Sequence, residues 1–169
     1  MIRILGAGLI LLGAVTIGVR KASHFHKQIN NLRQLIRALE QVRCELNYTM
    51  YSVPKVLELV GERTVGPVGR YFLCLSRNIT DGLPRAEAAR RALDDCGDLV
   101  LPADATFALL EFSTGLGSYD LDGEDRMSKL SCKRMSQCLE TLEQEKRPFV
   151  KSYIVLAASA GIALIILMV

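Results

Sequence analysis

Four carboxylates lie within six residues of this chain, in the segment from Asp120 to Asp125. Clustered oxygen ligands of this kind are what Ca²⁺ prefers. An EF-hand calcium loop needs glycine at position 6 and a bidentate glutamate at position 12. Counted from Asp120, glycine falls at position 4 and Ser131 at position 12. We therefore interpret the segment as an acidic helix start, stabilised by the helix dipole and also able to dock a basic partner.

Other residues that could do chemistry do not form a recognisable site. His24 and His26 are two positions apart, so on a helix they point in different directions and do not share a metal ion. The chain contains no phosphate-binding G-x-x-x-x-G-K-[ST] loop, no G-x-S-x-G nucleophile elbow and no H-E-x-x-H zinc motif. We predict a protein that is not an enzyme, without catalytic, cofactor-binding or metal-binding residues.

The five cysteines are an odd number and include no C-x-x-C pair. They are Cys44, Cys74, Cys96, Cys132 and Cys138. We interpret them as reduced thiols rather than as disulfides or metal ligands.

The elements that position these residues are predicted to be helices. In the first helix, apolar residues recur at spacings of three and four and form one stripe, with charged residues on the other faces. The stripe consists of Leu32, Leu35, Ile36, Leu39, Val42 and Leu46. No proline separates it from the apolar N-terminal segment, so one helix could run without interruption to Leu46.

Turn signals divide the following residues into five more helices. Ser52 is the expected N-cap of the second helix, which has Pro54 in its first turn and closes at Gly61. The others are expected over residues 66–82, 85–96, 102–117 and about 122–147, with a break at Pro148. Strand alternation is absent from the pattern. The sequence therefore predicts an all-α, six-helix bundle of about 125 residues, enough for one core.

Apolar segments at both ends, Ile4 to Val19 and Ser152 to Val169, are predicted to be terminal transmembrane helices. Their 16 and 18 residues span about 24 and 27 Å as helix, which snorkelling side chains can extend across a core of about 30 Å. A cleaved signal peptide is the alternative for the first, but the flank of Arg20 and Lys21 favours an anchor. The domains are then 1–20, 21–150 and 151–169.

Basic residues border the inner side of each predicted anchor. Arg20, Lys21 and Lys27 follow the first anchor, whereas only Arg3 precedes it. Three basic residues precede the second anchor and none follows it. The positive-inside rule then places the helical bundle in the cytoplasm. Residues 28–145 carry 14 basic and 18 acidic side chains, a net charge of −4, which argues against nucleic acid as the main partner.

The order of several short motifs resembles the stage III sporulation protein AB family over nearly the whole chain. They are Leu32 to Leu39 (LRQLIRAL), Glu45 to Tyr48 (ELNY), Pro54 with Val56 and Leu57, Leu116 to Ser118 with Asp120, and Gly161 in the last anchor. Tyr119 lengthens the family's turn before the sixth helix by one residue, and Glu124 stands where the family has glutamine.

This resemblance implies a fold similar to the cytoplasmic F-domain of type II secretion inner-membrane platform proteins. It implies a component of the channel apparatus between mother cell and forespore, in the mother-cell-derived membrane around the forespore. The implied partners are a secretion-type ATPase, the stage III sporulation protein AA, and other stage III sporulation membrane proteins.

We expect the exposed faces of the first and sixth helices to contact these partners, with Arg33, Arg37, Asp120, Asp122 and Glu124 as the charged candidates. Small residues one turn apart in each anchor, such as Ala14 and Gly18, are compatible with a homo-oligomer. A small membrane-anchored sensor or adaptor is the alternative function, and a membrane enzyme with unrecognised residues is a third.

Overall fold

Six helices follow one another along the chain in a computed structural model. The structure describes residues 2–49, 51–117, 123 and 126–144, with side chains from residue 23 onward. The helices are α1 (Ile2–Tyr48), α2 (Val53–Arg63), α3 (Pro67–Thr80), α4 (Arg85–Asp95), α5 (Ala103–Gly115) and α6 (residues 126–144). These residues include no strand, so the predicted all-α class with six helices is confirmed.

The chain divides into two units. One, which we call the bundle, is Gln28–Glu140, and the other combines Met1–Lys27 with Thr141–Val169. Within the described residues, no helix combines the length and apolar content that crossing a membrane requires. The predicted anchor from Ile4 to Val19 falls within α1, and the one from Ser152 to Val169 lies outside the described residues. Both anchors stay predictions, as do the break at Pro148 and the domain limits.

Helix α1 runs without interruption, as its lack of proline predicts. Leu32, Leu35, Leu39 and Val42 are completely buried, which confirms the centre of the apolar stripe. The other two predicted members of the stripe, Ile36 and Leu46, are only half-buried. Ala38, which the stripe did not include, is buried and completes the contact surface of α1.

The end of helix α2 differs from the prediction because of the contact between α2 and α3. We expected α2 to close at Gly61, but it continues to Arg63 and Gly61 is buried inside it. A Cβ atom on Gly61 would lie 2.8 Å from Cγ of Leu73. On Gly69 of α3 a Cβ would lie 1.8 Å from the carbonyl oxygen of Thr64. Gly61 therefore allows close packing of the two helices and does not end α2.

The remaining ends follow the turn residues closely. Ser52 occupies the N-cap of α2 in an extended conformation, although its side chain makes no capping hydrogen bond. Gly82, at φ +84°, follows the end of α3, a left-handed conformation that favours glycine. Helix α4 ends at Asp95, one residue before the predicted end, because Cys96 is its C-cap. The predicted start of α6 lies outside the described residues.

Buried side-chain hydrogen bonds connect the helices of the bundle. The hydroxyl groups of Tyr71 in α3 and Ser113 in α5 lie 2.8 Å apart, and burial raises the pKa of Tyr71 above its ordinary value. Ser76 of α3 donates to the Pro54 carbonyl of α2 over 2.7 Å, and Asn78 donates to the Ala88 carbonyl of α4 over 3.1 Å. Each bond satisfies a polar group that would be costly to bury alone.

Candidate interaction surface

The outward side of α1 carries the first two predicted contact residues. Arg33 and Arg37 lie one helical turn apart, and both are exposed. The opposite side of the same turns is the buried leucine stripe, so the core fixes the direction in which the two arginines point. The amide of Asn31 also donates to the Val100 carbonyl over 3.2 Å, which ties α1 to the α4–α5 connection.

The other three predicted contact residues, Asp120, Asp122 and Glu124, lie outside the described residues. The structure therefore does not test whether they approach Arg33 or Arg37, or whether the acidic segment starts a helix. The described chain before them ends at Gly117, where a Cβ atom would lie 2.8 Å from Nη2 of Arg85.

The described part of α6 exposes basic residues that the sequence analysis did not single out. Arg126, Lys129, Lys133 and Arg134 are all exposed on this helix. The spacings of three and four residues between Arg126, Lys129 and Lys133 are the sequence signal that places them on one side of a helix. Ser128, Ser131 and Met135 are buried on the opposite side and hold α6 against the bundle.

Helix α6 lies between α1 and α5. On one side, the charges of Glu40 and Arg43 in α1 act on the Cys132 thiol, whose pKa is raised chiefly by burial. On the other side, Arg134 pairs with Glu111 of α5 at 2.5 Å. Helix α6 thus approaches α1 near Glu40 and Arg43.

We call a set of exposed basic residues of these two helices the cationic face. Its members are Arg33, Arg37, Arg126, Lys129 and Lys133. Within residues 28–48 and 126–140 there are seven basic and three acidic side chains, a net charge of +4. Such a surface favours an acidic partner and accelerates its association.

Comparison with known proteins identifies the family. The family model for stage III sporulation protein AB matches residues 3–169. The chain belongs to the stage III sporulation protein AB family.

Two relatives cover most of the chain. Stage III sporulation protein AB of Bacillus subtilis (strain 168) is 23% identical over 170 residues, which are 99% of each chain. A solved structure of a stage III sporulation protein AB is similar with a TM-score of 0.65 and 20% identity. It covers 72% of this chain and 98% of its own. At this identity the solved structure is evidence for the fold alone.

In this family member, the arginines of α3 and α4 do not form a second basic surface. Arg70 pairs with Asp98 at 3.1 Å, and acidic residues also surround Arg90 and Arg91 in the sequence of α4. Residues 51–117 carry seven basic and nine acidic side chains, a net charge of −2. The net positive charge of the described bundle is therefore concentrated on α1 and α6.

The described residues include no group of three or more His, Cys, Asp or Glu that could hold a metal ion. Three of the thiols are also poorly suited to nucleophilic catalysis, because burial raises the pKa of Cys96 to about 11 and raises those of Cys132 and Cys138 as well. What the described arrangement offers is a rigid charged surface.

Proposed function

We propose that this family member is a non-enzymatic platform component of a secretion-like channel complex that forms during sporulation. In this proposal two terminal helices anchor it in the mother-cell membrane around the forespore, and the bundle lies in the cytoplasm. The bundle docks a secretion-type ATPase of the stage III sporulation protein AA kind and positions it beside other sporulation membrane proteins.

The cationic face is the observation that supports the docking step. Its charges project from helices whose other sides are buried, so a partner meets side chains on a fixed support rather than on a loop. A net charge of +4 over residues 28–48 and 126–140 favours a partner that presents carboxylates at the contact. We infer that the ATPase presents such an acidic surface.

The first experiment isolates the tagged full-length protein from sporulating cells after mild cross-linking and quantifies the ATPase that accompanies it. We expect Arg33→Glu combined with Arg37→Glu to reduce ATPase recovery at least tenfold, because like charges at the contact cost several kcal/mol. The matched control is Arg90→Glu with Arg91→Glu, which reverses two exposed arginines of α4. Equal recovery with both double variants would contradict docking through the cationic face.

Reversal of Asp120, Asp122 and Glu124 to lysine tests the other predicted contact segment in the same assay. If this variant loses the other sporulation membrane proteins but retains the ATPase, the acidic segment contacts those membrane proteins and the cationic face contacts the ATPase. Retention of every partner would remove the acidic segment from the proposal.

The membrane arrangement has its own test. Gly82 lies in an exposed turn, and a Cβ atom there would meet nothing within 4 Å. A reporter that works only in the cytoplasm should therefore be active when inserted at Gly82 and inactive when fused after Val169. Activity at both positions would contradict two anchors with a cytoplasmic bundle.

A further inference from the structure

The thiols of Cys74 and Cys96 meet where α3 contacts the end of α4. The Cys74 side chain lies close enough to Cys96 to raise the pKa of its thiol, although the two cysteines are separated by the whole of α4 in sequence. Cys74 is half-buried within α3, whereas Cys96 is the buried C-cap of α4 with 4% of its surface exposed. One thiol is thus accessible from solvent and the other lies behind it.

An ion pair one turn away also joins this part of α3 to the end of α4. Arg70 precedes Cys74 by four residues on the same side of α3, and it pairs with Asp98 over 3.1 Å. Asp98 follows Cys96 by two residues in the turn that ends α4, where the Leu99 amide donates to the Cys96 carbonyl over 2.7 Å. The turn therefore holds Cys96 opposite the next turn of α3, where Cys74 lies.

We propose that Cys74 and Cys96 form a reversible disulfide that links α3 to the end of α4 when the protein meets a small-molecule disulfide. The Cys74 thiolate attacks one sulfur of the small molecule, breaks its S–S bond and releases one thiolate, which takes the Cys74 proton. The Cys96 thiolate then attacks the Cys74 sulfur and displaces the second small thiol, which takes the Cys96 proton. Two cysteine thiols are oxidised and one small disulfide is reduced to two thiols.

The surroundings of Cys96 set the rate of the second step. Burial, Cys74 and Asp95 raise its pKa and Arg70 opposes the rise, with the result that the pKa is about 11. The Tyr71 hydroxyl is the other titratable group close to this thiol. Since only the thiolate attacks, closure is slow near pH 7 and its rate rises about tenfold per pH unit up to the pKa. In a reducing cytoplasm the pair stays open.

The test treats the purified full-length chain with oxidised glutathione, blocks the remaining thiols with iodoacetamide and identifies tryptic peptides by mass spectrometry. Cys74 lies in peptide 71–77 and Cys96 in peptide 92–126, and neither contains another cysteine. We expect these two peptides to be the main linked pair among the ten pairings that five cysteines allow. At pH 7 the glutathione adduct of Cys74 should accumulate, and at pH 9 it should give way to the linked peptides.

Control experiments distinguish a disulfide that depends on the native fold from random pairing of the thiols. The same oxidation in concentrated urea should give mixed pairings, and Cys44→Ser, which changes an exposed cysteine of α1, should leave the native link unchanged. Cys74→Ser should abolish the link and the adduct together, whereas Cys96→Ser should preserve the adduct. The proposal is overturned if the native chain gives the mixed pairings of the unfolded one, or if glutathione is found on Cys96 while Cys74 is alkylated.

Discussion

Two helix surfaces of this protein are used in opposite ways. One is the contact between α2 and α3, and the other is the cationic face of α1 and α6. At the first, Gly61 and Gly69 bring two helices so close that no room remains for a methyl group. At the second, long charged side chains such as Arg37 and Lys133 project outward. The first surface is closed by helix packing, whereas the second stays exposed.

Gly69→Ala should have the largest effect on stability. Its new Cβ atom would lie 1.8 Å from the Thr64 carbonyl oxygen, and because that neighbour is backbone, α2 and α3 must move apart. We expect a loss of about 3 kcal/mol or more in the free energy of unfolding, measured by urea denaturation. Gly97→Ala is the matched control, since a Cβ there meets nothing within 4 Å, and it should change stability by less than about 0.5 kcal/mol. Similar losses in both variants would contradict the close helix contact.

Leu39→Ala compares the two sides of α1. Leu39 is completely buried, so its truncation should cost roughly 2 to 5 kcal/mol of unfolding free energy through lost burial and a cavity. Arg37→Ala, two residues away on the outward side, should change the same quantity by less than about 0.5 kcal/mol. A change below about 0.5 kcal/mol for Leu39→Ala would place the stripe against solvent or a partner instead of the core.

Tyr71→Phe tests the buried hydrogen bond between α3 and α5. The substitution leaves the Ser113 hydroxyl buried without the partner that lies 2.8 Å away, which should cost about 1 to 2 kcal/mol in urea denaturation. Adding Ser113→Ala removes the orphaned hydroxyl, so the double variant should be no less stable than Tyr71→Phe alone. Additive losses from the two substitutions would mean that the hydroxyl groups do not depend on each other.

Local signals in the sequence were sufficient for the helices but not for their contacts. Prolines and glycines marked most helix ends, and the spacing of Leu32, Leu35 and Leu39 predicted the buried side of α1. The error at Gly61 has a physical cause: a glycine that ends a helix and one that admits a neighbouring helix look the same in sequence. Only the position of Leu73 and Gly69 in space distinguishes them.

The candidate surface was predicted only in part for the same reason. The outward direction of Arg33 and Arg37 follows from helical periodicity within α1. How close Arg126 and Lys133 come to them depends on how α6 packs beside α1, which is a tertiary contact. The proximity of Cys74 to Cys96 likewise depends on how α3 meets α4, and their spacing matches no local motif.

The ion pair between Arg134 and Glu111 should have the smallest effect, although it joins α6 to α5 at 2.5 Å. The two side chains are 47% and 37% exposed, so water screens their attraction and ordering them costs side-chain entropy. A double-mutant cycle with Arg134→Ala and Glu111→Ala should give a coupling free energy below about 1 kcal/mol, smaller still in 1 M salt. A coupling of about 2 kcal/mol or more would mean that charge pairing, rather than burial of Met135 and its neighbours, holds α6 in place. Arg134 would then be part of what holds the fold together, so not every exposed charge of α6 could be replaced without loss of stability.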